Sequence, residues 1–183
     1  MIAAAPLTVE AFHQWAELQP ASYELVHGEV REKPVAHFGH QNVNANITRV
    51  LVQYLLGNPI GKAFPETLFD LTPEDSRQPD NAVMLNDRCR GIPSHAYPKG
   101  APDIAIEVVS SESAAELEEK VGLYLGNGSK SVWAVYPRHR TVWVSRPGGV
   151  TIRLNESDFL EEPGILPGFR VQVKDLFEGL AES

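Results

Sequence analysis

The chain has 183 residues, 43% of them hydrophobic, which is enough apolar material for one core of ordinary size, and a single domain over 1–183 is expected. Its formal charge of −8 weighs against indiscriminate nucleic-acid binding, because such binding grows with the number of phosphates that Lys and Arg neutralise. No apolar run approaches the ~20 residues of a bilayer span, the first residues carry no basic leader, and the lone Cys89 excludes an internal disulfide framework, so a cytoplasmic, non-membrane protein is expected.

Residues 8–19, "TVEAFHQWAELQ", begin with Thr8 and space Phe12, Trp15 and Leu18 as one face of a short helix. "YELVHGEVREKPV" follows as two strand-like runs joined at His27 and Gly28, a hairpin signal. From Phe38 to Leu56 the residues Val43, Ile47, Val50, Leu51 and Tyr54 recur every three or four positions, which predicts a long helix. Residues 61–71 and 79–85 read as strands separated by the polar turn "TPEDSRQ", and 86–100 as a surface loop. A strand over 102–109 and a helix over 113–126 come next, the helix opened by Ser113 with Glu116 three residues on. "SVWAVYP", "TVWVSRP" and "VTIRL" then form a series of strands, and "LPGFRVQVKDLFEGL" closes the chain as turn, strand and helical piece. This order predicts an α+β fold with a mixed central sheet flanked by helices.

One position in this pattern is costly. In "PDIAIEVVS" the alternation of a strand places Ile104, Ile106 and Val108 on one face and Asp103, Ala105, Glu107 and Val109 on the other. A carboxylate at the centre of such a strand is tolerated when something pairs with it. Asp80, at the start of the strand "DNAVML", is a second acid in the same kind of setting. Two carboxylates on neighbouring strands can converge on a hard divalent cation, with water and phosphate oxygens completing its shell. Lys120 lies three residues after Leu117 and four before Tyr124, bordering the inward face of its helix. There it is either a partner of Glu116 on a solvated surface or a cation turned toward Glu107 that orients an attacking water.

"QPDNAVML", "PDIAIEVVS", "KVGLYLGNGSKSVWAVYP" and "LPGFRVQV" resemble, in order and spacing, the successive blocks of the Uma-two family, a branch of the PD-(D/E)XK nuclease superfamily. The resemblance implies a restriction-endonuclease-like core and DNA as substrate. It also implies a site in which Asp80 and Glu107 bind Mg²⁺ or Mn²⁺ and Lys120 supplies the cation. Elsewhere in the superfamily that lysine stands two residues beyond the strand acid; here the position is Val109, and the chain is similar to members whose lysine has moved to the next helix. Glu24 and His40 fall where the family places an acid and a histidine.

Between Val121 and Asn155 there is no Asp or Glu, while Lys130, Arg138 and Arg140 lie there with Arg146 and Arg153. A hairpin tip carrying "RHR" fits a phosphate backbone without reading bases. The expectation is a metal-dependent endonuclease, with a nuclease-fold binding or assembly module that lacks turnover as the alternative. Pairing of two copies through the hairpins around "TVWVSRP" is expected as well.

Overall fold

A computed structural model describes residues 6–110 and 112–181; the first residues, read above as carrying no basic leader, lie outside them up to residue 5. A first helix, α1 (Val9–Ala16), is capped by the Thr8 hydroxyl and packs Val9 and Phe12 against the following strand, β1 (Tyr23–Val26). β1 pairs with β2 (Glu29–Glu32) across a two-residue loop in which His27 and Gly28 both have positive φ, 50° and 75°. Such a loop matches the natural twist of a hairpin. Only glycine fits its second position, since a Cβ there would overlap Pro6.

The long helix α2 (Phe38–Gly57) buries Val43, Ile47, Val50, Leu51 and Leu55, the face that the sequence spacing predicts. The region read as one strand over 61–71 divides in two. β3 (Gly61–Pro65) joins the main sheet, and β4 (Phe69–Thr72) joins a second sheet with β1 and β2. The polar stretch read as a turn contains a further strand, β5 (Asp75–Arg77), which is buried and lies between β1 and β4. Arg77 pairs there with Asp75 at 3.3 Å, and Asp75 also accepts the His27 N–H and the Thr72 hydroxyl, which is how a polar run can form an interior strand. β6 (Asn81–Leu85) follows, then the short helix α3 (Asn86–Cys89), the one regular element in the loop expected over 86–100.

β7 (Ile104–Val108), the helix α4 (Ala114–Gly126) and β8 (Ser131–Tyr136) form a parallel crossover. Every other pairing in the main sheet is antiparallel: β9 (Thr141–Arg146) and β10 (Val150–Leu154) extend it from β8, giving the order β10-β9-β8-β7-β6-β3. A small pair, β11 (Phe159–Glu162) and β12 (Leu166–Gln172), and a 3-10 turn at Val173–Phe177 complete the described chain. The fold is therefore α+β with a mixed sheet flanked by helices.

The two faces of β7 belong to different cores. Ile104, Ile106 and Val108 pack with α2, Trp133, Phe169 and the terminal 3-10 turn. Ala105 packs on the other side with Phe69, Ala82 and Tyr124. Each large aliphatic side chain so buried contributes roughly 1.5–3 kcal/mol, and β7 is held from both sides, as a strand next to a parallel partner commonly is. Among the described residues no helix is long and apolar enough to cross a membrane.

Replacing Gly28 by alanine forces a Cβ into left-handed backbone against Pro6. Urea unfolding followed by circular dichroism is expected to show a loss of at least about 1 kcal/mol, the usual cost of that backbone region. An unchanged midpoint would refute this account of the hairpin.

Candidate active site

Glu107 is the fourth residue of β7 and is only 3% exposed. The partner strand fixes what faces it: Asn81 of β6 is opposite Ile106, and Ala82 is opposite Ala105. Asp80, one residue before β6, therefore lies across from Glu107 and on the same face. Its Oδ2 accepts the backbone N–H of Val108 at 2.7 Å, closing the strand end that Glu107 occupies.

Helix α4 is placed over that end. The Ser113 hydroxyl accepts the Glu116 N–H, and the Glu116 carboxylate accepts the Ser113 N–H in return, a complete capping box. With its first turn fixed, the helix directs Leu117, Lys120 and Tyr124 to the sheet. Lys120 Nζ lies 3.2 Å from Glu107 Oε2, and the Tyr124 hydroxyl donates to Glu107 Oε1 at 2.8 Å. Glu107 thus has a partner on each oxygen. Lys120 also lies 3.9 Å from Glu112, so the partnership with Glu116 is not the arrangement adopted.

Asp80 has its own set of partners. His40 sits one turn before Val43 and Asn44 on the buried face of α2. The Asn44 and Thr48 side chains bond to Asn81, fastening this part of the helix to the start of β6. His40 Nε2 then reaches Asp80 Oδ2 at 3.2 Å, and its Nδ1 is buried without a hydrogen-bond partner. Lys33, just past β2, donates to the Gln78 carbonyl at 2.7 Å and lies 3.6 Å from Asp80 Oδ1. Glu24 of β1 is buried and accepts the Gln78 N–H at 2.6 Å. Lys33 and the Tyr124 hydroxyl are the site groups that sequence reasoning did not mark: Tyr124 has the spacing of a core residue, and nothing local links Lys33 to Asp80.

The electrostatics follow from burial and proximity. Burial pushes the Glu107 carboxyl up to about 7; Lys120 opposes this, while Asp80 and Glu24 add to it. Asp80 goes the other way. Burial acts to raise it too, but the His40 hydrogen bond, the charges of Lys33 and His40 and the Val108 N–H together hold it below the usual carboxylate range. The Asp80 hydrogen bond lifts His40 above an ordinary histidine against the pull of burial. Burial alone would lower Lys120, yet the charges of Glu107, Glu24 and Glu112 hold it above an ordinary lysine, so it stays a fixed cation.

The remaining candidates lie to one side. The β8–β9 connection is a 3-10 turn at Pro137–His139, with Arg140 in left-handed backbone at φ 49°. It rises from the end of the sheet where Glu107 lies, since Val108 pairs with Val135 and the Val109 N–H bonds the Val135 carbonyl at 2.8 Å. Arg138 is exposed there and, among the described residues, makes no ion pair. Arg140 pairs with Glu156 and lies over the Phe177 ring. Lys130 is 2.9 Å from the buried Asp103, at the other end of β7 from Glu107.

Among the described residues no group of three or more His, Cys, Asp and Glu side chains is disposed as a metal cage. A hard cation needs only one or two carboxylates with water and phosphate oxygens. The all-oxygen pair Asp80 and Glu107, facing one another across β6 and β7, fits that requirement.

Residues 9–174 match the Uma2 family, described as "Putative restriction endonuclease". The chain belongs to this nuclease-fold family. A crystal structure of a putative nuclease belonging to DUF820 from Anabaena variabilis ATCC 29413 superposes with a TM-score of 0.80 at 23% identity, covering 94% of this chain and 98% of that one. That likeness shows the restriction-endonuclease-like architecture of the Uma2 chain described here. No protein of curated function matches it significantly.

Removing the Lys120 charge takes away the main group that opposes the rise in Glu107. In Lys120→Met, Glu107 should titrate above its wild-type value of about 7, followed through its side-chain carboxyl carbon by NMR. A fall, or no change, would show that Lys120 does not govern Glu107.

Proposed function

We propose that this Uma2 chain is a metal-dependent endonuclease that hydrolyses phosphodiester bonds in DNA. The observation that carries the reading is the cross-strand placement of Asp80 and Glu107 on one face, with Lys120 3.2 Å from Glu107. Asp80 and Glu107 would hold Mg²⁺ or Mn²⁺ through carboxylate oxygens. When bound, such an ion activates water for attack and offsets the charge that grows on the phosphate.

The chain's own groups take defined parts. Lys120 keeps its proton, so it orients the attacking water and offsets developing negative charge rather than acting as a base. Lys33 and His40 fix the Asp80 carboxylate from two directions and keep it ionised. Glu24 anchors the Gln78 backbone two residues before Asp80, holding the approach to the strand. Arg138, on the tip that rises beside the site, is placed to meet a backbone phosphate. Arg140 and Lys130 would join it only by leaving Glu156 and Asp103.

A second reading, a nuclease fold that binds without turnover, is favoured by one feature. Each carboxylate already has its own lysine, Lys33 on Asp80 and Lys120 on Glu107, so the pair is partly neutralised without an ion.

Supercoiled plasmid with Mg²⁺ or Mn²⁺ separates the two. Nicking is expected in the wild type, should vanish with EDTA, and should fall by at least about 100-fold in Glu107→Ala and Asp80→Asn, since even groups that only support metal ligands are worth 10–100-fold. Absence of nicking in the wild type, or equal nicking in the variants, would overturn the endonuclease reading.

The Glu107 carboxyl, raised to about 7, must lose its proton to bind metal. Mn²⁺ affinity measured by calorimetry should therefore weaken as pH falls below 7, by up to about tenfold per unit, and level off above it. A flat profile between pH 6 and 8, values that bracket the expected midpoint of about 7, would remove Glu107 from the ligand set.

A further inference from the structure

The two oxygens of Asp80 are unequally engaged. Oδ2 accepts the Val108 N–H at 2.7 Å and lies 3.2 Å from His40 Nε2. Oδ1 accepts no hydrogen bond among the described residues, and its charged neighbour is the Lys33 ammonium at 3.6 Å. The oxygen with room for a divalent ion is therefore Oδ1, and that is the one Lys33 covers.

The two ammonium groups at the site are held by different means. Lys120 stands on α4, whose first turn is closed by the capping box, and it donates to Glu107 at 3.2 Å with Glu112 3.9 Å away. Lys33 stands on the segment that leaves β2, a strand whose four residues are all exposed. Its hydrogen bond goes to the Gln78 carbonyl at 2.7 Å and not to Asp80, so its hold on the carboxylate is one of charge alone. The Lys33 N–H is fixed to the Ser22 carbonyl at 2.9 Å, which leaves the side chain as the part that moves. That side chain is already 20% exposed. Parting a buried ion pair is costly when one charge is left uncompensated; here an incoming ion would replace the ammonium at Asp80 while the ammonium turned to water. Until then the Lys33 charge is felt by both acids, lowering Asp80 and Glu107 alike, and the same field repels any further cation.

We infer, resting on the metal-dependent reading above, that Lys33 is a gate on the metal site: it covers Asp80 Oδ1 until a divalent ion binds, and then yields that oxygen and swings to solvent. Metal binding is on this account an exchange of cations. Lys33 keeps the paired acids partly neutralised in the resting chain, and it sets the ion concentration at which the site fills, since the ion gains Asp80 only by displacing an ammonium. Lys120 does not take part in the exchange, because its helix holds it on Glu107. A purely supporting Lys33, one that merely props Asp80 in place for the ion, predicts the opposite sign: its removal would weaken metal binding.

Calorimetry with Mn²⁺ on the full chain, at a pH above the Glu107 midpoint of about 7, decides the sign. Lys33→Met should bind Mn²⁺ at least about tenfold more tightly than the wild type, a modest share of what removing a like charge a few ångströms away can give. A second readout needs no substitution. Footprinting of the wild type with an amine-reactive ester, read by mass spectrometry, should show Lys33 becoming several-fold more reactive when Mg²⁺ is added, with Lys120 unchanged; if Lys33→Met does not fold, this readout decides alone. Mn²⁺ binding that is unchanged or weaker in a folded Lys33→Met, or Lys33 reactivity that does not rise with Mg²⁺, would overturn the gate and leave the metal site standing. Absence of Mn²⁺ binding in both chains would overturn the metal-dependent reading itself, and the gate with it. Binding in Lys33→Met where the wild type shows none would be the same gate held more firmly shut.

Discussion

Much of this structure is arranged around one buried charge. Glu107 sits where burial, with the acids Asp80 and Glu24, raises its carboxyl, and Lys120 and Lys33 lower it. Left to itself such a group costs several kcal/mol of desolvation, and the surroundings answer with a hydroxyl on one oxygen and an ammonium on the other. The ammonium must come from α4, and α4 must therefore be held at a fixed height and rotation over the sheet. The proton balance runs accordingly. With its folded value above the ordinary carboxylate value, protonated Glu107 favours the fold below about pH 4.5, and that contribution is lost as pH rises through about 7. A cation at the site would act in the opposite sense, favouring the ionised form.

How α4 is held is visible in a second network. Arg77, buried on β5, pairs with Asp75 beside it and with Glu119 on α4, both at 3.3 Å. His27, at the tip of the first hairpin, reaches Asp75 and Glu119 as well. The helix is thus tied to the smaller sheet by the residue immediately before Lys120. A pair with one half-exposed partner is worth little on its own. Its part here is geometric, since several ties on consecutive residues fix the rotation that aims Lys120 and Tyr124 inward.

The sequence is legible where structure depends on local periodicity. The α2 stripe, the capping box on α4, the faces of β7 and the His27-Gly28 turn all follow from spacing, and Asp80, Glu107 and Lys120 are found together because each lies on such an element. Legibility fails where stability comes from partners distant in the chain. β5 is polar in sequence and interior in space, because Asp75 and Arg77 neutralise each other and bond to groups about forty residues away or more. The 61–71 run divides because its halves serve different sheets, and no local signal marks that. Lys33 and the Tyr124 hydroxyl escape notice for the same reason. His13, with no evident partner in sequence, meets Asp70 at 2.7 Å and stacks on Tyr97.

Asp80 has an attachment that its proposed chemistry does not require. Its Oδ2 takes the Val108 N–H, a donor buried at the end of a central strand, and without that acceptor the amide would be left unsatisfied, at a cost of about 1–3 kcal/mol. The same carboxylate is therefore both a metal ligand in the proposed reaction and a cap that finishes β7. A descendant of this chain that gave up cleavage would still gain stability by keeping the acid, because its loss would weaken the fold as well as the site. An aspartate at this position is for that reason a poor witness to activity, and the groups free of backbone duty, Lys120 above all, are where a loss of turnover would first be written.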